Sequence, residues 1–343
     1  MPVTLKDIAA RSGYSITTVS RALGGFSDVN VATRERILTI AAEMGYEPNS
    51  VARQLQGRRT NTIGLIIPAA EPRIDDDFFS LLLKGISHAA SRFHHDVLIS
   101  TQLPGGDEMD AYRRIAGGRR VDGMIVARTR RSDPRIEYLR CIDHPFVVAG
   151  RAAPDVSSDF PYIDADSQQG IRLLVEHFAA YGHRNIGLIL PPAHLAYTAY
   201  REAGYREGLQ AANLPYRAEY VNHGELTTRS GEDRARALLD AAPEITAIIA
   251  CNDIMALGAM QAIQGRGLRV GLDIALGGFD DLPIARLATP TLTTVRQPIY
   301  EIGERLTALL LDIIASEPTT PPSELITPQL IVRESSGTSR NSV

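Results

Sequence analysis

VTLKDIAARSGYSITTVSRAL, residues 3–23, decides how the beginning of this chain is read. Thr4 followed by Asp7 makes a capping box just ahead of the apolar positions Leu5, Ile8 and Ala9. Gly13 is placed to stop that helix, because it enters the left-handed conformation closed to most residues. Ser15 then caps a second helix that turns Val19, Ala22 and Leu23 inward. A third is predicted from about Ala32, with Ile37, Ile40, Ala41 and Met44 on one face and Gly45 at its end. Two helices joined by a tight glycine turn and backed by a third form a helix-turn-helix.

In that layout the second helix lies in the major groove of duplex DNA, with its N-terminal residues at the base edges. Here those are Ile16, Thr17 and Thr18, with Arg21 one turn on. Ile16 suits a thymine methyl, Thr17 a base or a phosphate, and Arg21 a guanine edge or a phosphate. Thr4, Ser15, Thr18, Ser20 and Asn30 are placed for backbone contacts that position without specifying. Charge agrees with this division. Residues 1–60 hold eight Lys/Arg and five Asp/Glu, a net of +3, and the remainder carries −7. A basic head on an acidic body fits a head that meets a polyanion.

The whole chain, 343 residues with 44% hydrophobic content and a mean hydropathy of −0.08, has the composition of a globular protein of two or three domains. No apolar run approaches the roughly 20 residues that span a bilayer, and no signal-peptide stretch opens the chain, so a cytoplasmic location is expected. Cys141 and Cys251 are too few for a disulfide framework or a cysteine zinc site and read as small core residues.

From residue 62, β-rich runs alternate with amphipathic stretches. TIGLIIP, DVLIST, VDGMIVA, PFVVAG, NIGLIL, ITAIIA and IALGGF read as buried parallel strands. Residues 78–94, 166–181, 199–212 and 253–264 read as helices between them. That alternation implies βαβ units in open doubly wound sheets, and the number of strands suits two lobes. The fold also hosts enzymes, but their motifs are missing: no GxGxxG after a strand, no phosphate loop, no HExxH and no GxSxG. The acidic runs at 75–77 and 164–167 read as helix caps, so neither metal nor cofactor is implied.

Ligands of such sheets bind outside the carboxyl ends of the strands. Several polar groups stand there. Asn252 follows one strand and faces the cleft, with Asp253 either binding or capping; Asp280 ends another strand. Gln297 lies in an extended segment. Arg201 stands near a helix start, with Tyr197 one turn before it. Phe78 and Phe79 lie at the mouth of the first strand-to-helix turn, and Arg128 and Thr129 follow a further strand.

The opening stretch and nearly all of the remaining chain resemble the lactose-repressor (LacI/GalR) family of bacterial transcription regulators. The resemblance implies an α/β fold with an N-terminal helix-turn-helix head (residues 1–46), a hinge helix and linker (47–61), and a two-lobed, periplasmic-binding-protein-like body (62–343) crossed by three connections. It implies a homodimer on a pseudo-palindromic operator, most simply a repressor of carbohydrate uptake or catabolism released by a small sugar. EPNSVARQLQG, residues 47–57, has Asn49 as a cap and about eight helical residues, too few to stand alone in water. In the family it is the hinge helix on the minor groove. Leu55 matches the leucine wedged between base steps, and Asn49 and Ala52 join it among the DNA contacts. For the effector, Arg201 matches the arginine of R-x-x-G-Y, Asn252 the asparagine of N-D, Asp280 the aspartate after G-[FY], and Gln297 the glutamine after T-T-x-[KR]. Phe78 and Phe79 match the aromatic pair. Two departures bear on the ligand: Asp76-Asp77 replaces the usual Asn-Pro, and Leu226 stands where many members place a stacking aromatic. With no Trp, stacking falls to the phenylalanines or Tyr197. A secreted-type sugar-binding protein without DNA function is the alternative, which the missing signal peptide opposes.

Overall fold

The computed structural model describes residues 3–46, 59–68, 77–102, 108–316 and 321–337. Asn49, Ala52 and Leu55, and with them the predicted hinge helix, lie outside the described residues. The chain divides into two compact units, residues 1–60 and 61–343, each described by itself.

In the head, α1 (Leu5–Ser12), α2 (Ile16–Leu23) and α3 (Val31–Glu43) pack around Ile8, Val19, Ala22, Val29, Ile37 and Ala41. The Asp7 carboxylate accepts the Thr4 backbone N–H at 2.8 Å and the Thr4 hydroxyl at 2.7 Å. Those bonds hold the Asp7 carboxyl below its usual range. Gly13 takes a φ of 78° and returns its N–H to the Ala9 carbonyl, so the chain reverses in the short space before α2.

The body holds two six-stranded sheets. The first lobe contains β1 (Thr62–Pro68), β2 (Asp96–Gln102), β3 (Gly123–Ala127), β4 (Phe146–Ala149) and β5 (Tyr162–Ala165), with helices α4 (Asp77–Arg92), α5 (Glu108–Tyr112) and α6 (Pro134–Cys141). The second contains β6 (Ile186–Leu190), β7 (Val221–His223), β8 (Ala247–Ala250), β9 (Ala275–Asp280) and β10 (Thr293–Arg296). Its helices are α7 (Ser167–Ala180), α8 (Ala196–Ala211), α9 (Thr228–Ala241), α10 (Asp253–Gln264) and α11 (Pro283–Leu287). The chain returns through α12 (Ile299–Ser316) and β11 (Ser323–Ile326) to the first lobe, then through β12 (Gln329–Ile331) to the second. It therefore crosses three times, after β5, after β10 and after β11. Strand order is β11-β5-β4-β3-β1-β2 in one sheet and β12-β10-β9-β8-β6-β7 in the other. All pairings are parallel except β10 with β12. The seven apolar runs all appear as strands because both faces of a parallel sheet are covered.

β11 and β12 belong to different sheets, and the break falls at Thr327-Pro328, where proline has no N–H for a ladder. Two expectations need correction. Cys141 is exposed at the end of α6, and only Cys251 is a core residue. The helix read as 199–212 begins at Ala196. Its N-cap, Leu195, has no side chain to signal a start; instead the Ala196 N–H donates to the Thr129 carbonyl of the first lobe at 2.9 Å. Tyr197 and Arg201 are thus both helical and one turn apart on the same face. No helix among the described residues is long and apolar enough to cross a membrane.

Candidate functional site

Arg201 of α8 lies beside the carboxyl ends of β8 and β9. It is buried, and its guanidinium lies 4.1 Å from the centroid of the Phe279 ring and 4.6 Å from that of Tyr197. One amino group donates to the Cys251 carbonyl at the end of β8, while its Nε has no hydrogen-bond partner among the described residues. Burial pushes the Tyr197 phenol up against the pull of Arg201 and Arg128, and it pushes the neighbouring Cys251 thiol up to about 12. Both groups therefore stay neutral.

Asp280 ends β9 with a φ of 113°, and Asp281 comes next at 54°, a pair of backbone conformations that L-residues rarely adopt. A cluster of three arginines holds this strained pair in place. The Asp281 carboxylate is buried and receives Arg296 at 2.7 Å, Arg286 at 3.5 Å and Arg333. Burial alone would raise this carboxyl, but the hydrogen bonds from Arg333 and Arg296 keep it below the usual range. Asp280 is thereby presented to Gln297, whose amide donates to Oδ1 at 2.5 Å. A cavity of about 280 Å³ opens beside this pair, lined also by Leu81, Arg286, Arg296 and Ile299.

Asn252 caps α10, its Oδ1 accepting the Met255 N–H at 2.7 Å. Capping thus falls to Asn252. Asp253 does not cap: fully buried, it accepts the Leu282 N–H at 2.7 Å and the Thr294 hydroxyl at 2.5 Å. Burial and the nearby Asp280 push its carboxyl well above the usual range. Gly278 makes room for it, since a Cβ there would meet Asp253 Oδ1 at 2.3 Å. Asp281, through its arginines, and Asp253, through the Leu282 N–H, hold the chain that follows Asp280, roles that sequence reasoning missed.

In the first lobe, Phe79 is part of the core and Phe78 is half-buried, their rings edge to face at 5.6 Å. Arg128, at a φ of 56°, lies 4.7 Å from the Phe79 centroid. Its carbonyl and that of Ala127 accept from the fully buried Arg135, itself paired with Asp133 and Glu108. Thr129 is buried and donates its hydroxyl to the Arg151 carbonyl at 3.1 Å. Its backbone and those of Arg130 and Arg131 join the segment before α8. The structure therefore makes Thr129 a tie between lobes.

In the head, Ser15, Ile16 and Thr17 are exposed, with Ile16 45% accessible although apolar. Thr18 and Ser20 are half-buried. The Thr4, Ser15 and Asn30 side chains are engaged as caps, and Ser15 Oγ accepts the Thr18 N–H at 3.1 Å. They mark helix N-termini, whose backbone N–H groups favour a phosphate. Arg21 pairs with Asp28 at 2.6 Å over the Phe26 ring.

A helix-turn-helix head and a two-lobed body with a polar, aromatic-walled cleft define a DNA-binding protein built to carry a small ligand. The comparisons make this specific. Residues 4–49 match the model of bacterial regulatory proteins of the lacI family, and residues 175–336 that of a periplasmic binding protein-like domain. The chain is 34% identical over 336 residues to the HTH-type transcriptional regulator CelR of Thermobifida fusca, covering 97% of this chain and 98% of that protein. It is 32% identical over 333 residues to the HTH-type transcriptional repressor CytR of Escherichia coli, covering 97% and 96%. Among solved structures it matches the Lac repressor dimer bound to operator and an anti-inducer, with a TM-score of 0.82, 28% identity, and 98% and 100% coverage. It also matches a CelR–cellobiose complex, with a TM-score of 0.76, 33% identity, and 97% and 99% coverage. The chain belongs to the LacI family of bacterial transcriptional regulators.

Proposed function

We propose that the protein is a cytoplasmic homodimeric repressor that binds a pseudo-palindromic operator and is released by a small neutral sugar. It acts by binding, not by catalysis. The observation that carries the ligand class is the buried Arg201 against the Phe279 and Tyr197 rings, with Asp280, the residue after Phe279, held by the Gln297 amide. Planar donors and acceptors read hydroxyl pairs, and an aromatic face suits the C–H side of a sugar ring. The relatives support the same class, one having been solved with cellobiose.

On this reading Ile16, Thr17, Thr18 and Arg21 meet base edges, and Leu55, with Asn49 and Ala52 beside it, kinks the minor groove. A sugar alters DNA affinity only by binding the DNA-competent and incompetent states unequally, and a coupling of about 1–3 kcal/mol weakens binding roughly 5- to 150-fold. A hinge segment too short to stand alone is the natural element to melt. Mobility-shift assays on a palindromic operator, with and without sugars, test the reading. Failure to retard any palindromic fragment would reject it, and equal DNA bending by Leu55→Ala and wild type would reject the wedge.

A further inference from the structure

Asn61 opens the body in a conformation foreign to the strand it leads into. Its φ is 49°, in the left-handed region, and β1 begins at the next residue, Thr62. A non-glycine residue is strained there, so something must hold it. Two partners do. The Asn61 N–H donates to Asp122 Oδ2 at 2.8 Å, and the Asn61 carbonyl accepts the Asp96 N–H at 2.8 Å. The Asp122 N–H donates in turn to the Thr62 carbonyl at 2.7 Å. Asn61 is exposed, so hydrogen bonds and not burial set its backbone. The two compact units of the chain adjoin in sequence between Thr60 and Asn61.

Asp122 stands directly before β3, whereas Arg128 and Thr129 follow its carboxyl end. All five residues of β3 are buried. Both ends of this strand touch what comes from the second lobe. Beyond its carboxyl end the Thr129 carbonyl accepts the Ala196 N–H of α8 at 2.9 Å. At its amino end Gly123 lies against α12, the helix that returns from the second lobe. A Cβ there would meet Leu310 Cδ1 at 2.8 Å and Ile314 Cδ1 at 3.0 Å. A short, fully packed strand moves as one piece, so a shift of β3 against β1 reaches the bond between Asp122 and Asn61.

We propose that Asp122 is a positioning residue for the sugar response: its carboxylate holds Asn61 in the left-handed turn, fixes the direction in which the chain leaves the body, and changes that hold as β3 moves with the lobes. Asp122 itself meets neither DNA nor sugar in this role. The proposal rests on the operator and sugar reading above.

Full-length protein and a labelled palindromic fragment that the wild type retards test it, with glucose, cellobiose, maltose, trehalose, sucrose and lactose as probes. The quantity read is the ratio of DNA affinity without sugar to that with it, and calorimetry without DNA gives sugar affinity separately. Asp122→Ala should lower the ratio about threefold or more, as loss of one hydrogen bond implies, with sugar affinity within about twofold of wild type. Asp122→Asn keeps an acceptor oxygen and should restore most of the ratio. Asn61→Pro can neither donate the bond nor take a positive φ. It should lose as much, and the double variant no more than either alone. It also decides the matter should Asp122→Ala fail to fold. A merely structural role would lower sugar affinity or the unfolding midpoint and leave the ratio in place. A wild-type ratio in either variant, or losses that add in the double variant, overturns the clamp and spares the reading above. No retardation of any palindromic fragment by wild type, or no response to any of these sugars, overturns that reading, and the clamp with it.

Discussion

The Arg201 guanidinium stacks 4.1 Å from the centroid of the Phe279 ring, so the residue before Asp280 orients the arginine proposed to share its ligand. Arg201→Lys should therefore behave almost like Arg201→Ala. An ammonium has neither the planar fork nor the stacking face. Both substitutions should weaken sugar binding by roughly 2–4 kcal/mol, with the operator complex still forming in the absence of sugar. Operator release measured against sugar concentration checks this. Release at the wild-type concentration would remove Arg201 from the pocket.

Gly204 packs one helix against another. A Cβ there would lie 2.0 Å from the Gln168 carbonyl oxygen, so α8 touches the backbone of α7. Gly204→Ala should cost about 1–3 kcal/mol or more, since backbone cannot yield as a side chain does. It should also shift Arg201, one turn back on α8, and weaken sugar binding. Denaturant unfolding, with titration of the folded fraction, tests both, and wild-type stability would show that the helices can part at no cost.

Much of this is legible in the sequence because it rests on local rules. The capping box at Thr4, the turn at Gly13 and the uninterrupted apolar runs each act within a few residues. The missed pieces depend on partners far along the chain. β5 carries the polar Asp164 in a four-residue strand, and α8 owes its start to a carbonyl of the other lobe. Asp281 reads as a duplicate of Asp280 until Arg296 and Arg333, 15 and 52 residues away, fold onto it. The motif points to Arg201 but not to its ring contacts, because Phe279 joins it only when β9 lies beside β8.

In the head, Arg21 and Asp28 form an exposed pair, worth little to stability. Arg21→Ala should leave thermal unfolding of the head within about 1 kcal/mol of wild type. Operator affinity should nonetheless fall by about 1–3 kcal/mol if the guanidinium reads a base. Ser15→Ala, by contrast, should destabilise the head: loss of the cap to Thr18 N–H should cost about 1 kcal/mol. Unchanged affinity of Arg21→Ala for operator over random DNA would assign Arg21 to the ion pair alone.

Asp164 sets a pH dependence whose sign can be worked out. Burial raises its carboxyl from 3.8 to about 6, against Arg151 and Arg201 and with Asp166 adding a like charge. The folded protein therefore holds this proton more tightly than the unfolded chain. Between those two values stability falls as pH rises, because ionising the buried group costs more in the native state. Below pH 3.8 nothing is lost, and above pH 6 the loss is complete, at about 2–3 kcal/mol. Asp164→Asn does not titrate, so its stability relative to wild type should rise by that amount from pH 4 to pH 7.5. Denaturant midpoints of both proteins across that range measure the difference. A difference that stays flat with pH would mean that Asp164 ionises normally, and one that shrinks as pH rises would mean that Arg151 and Arg201 outweigh burial.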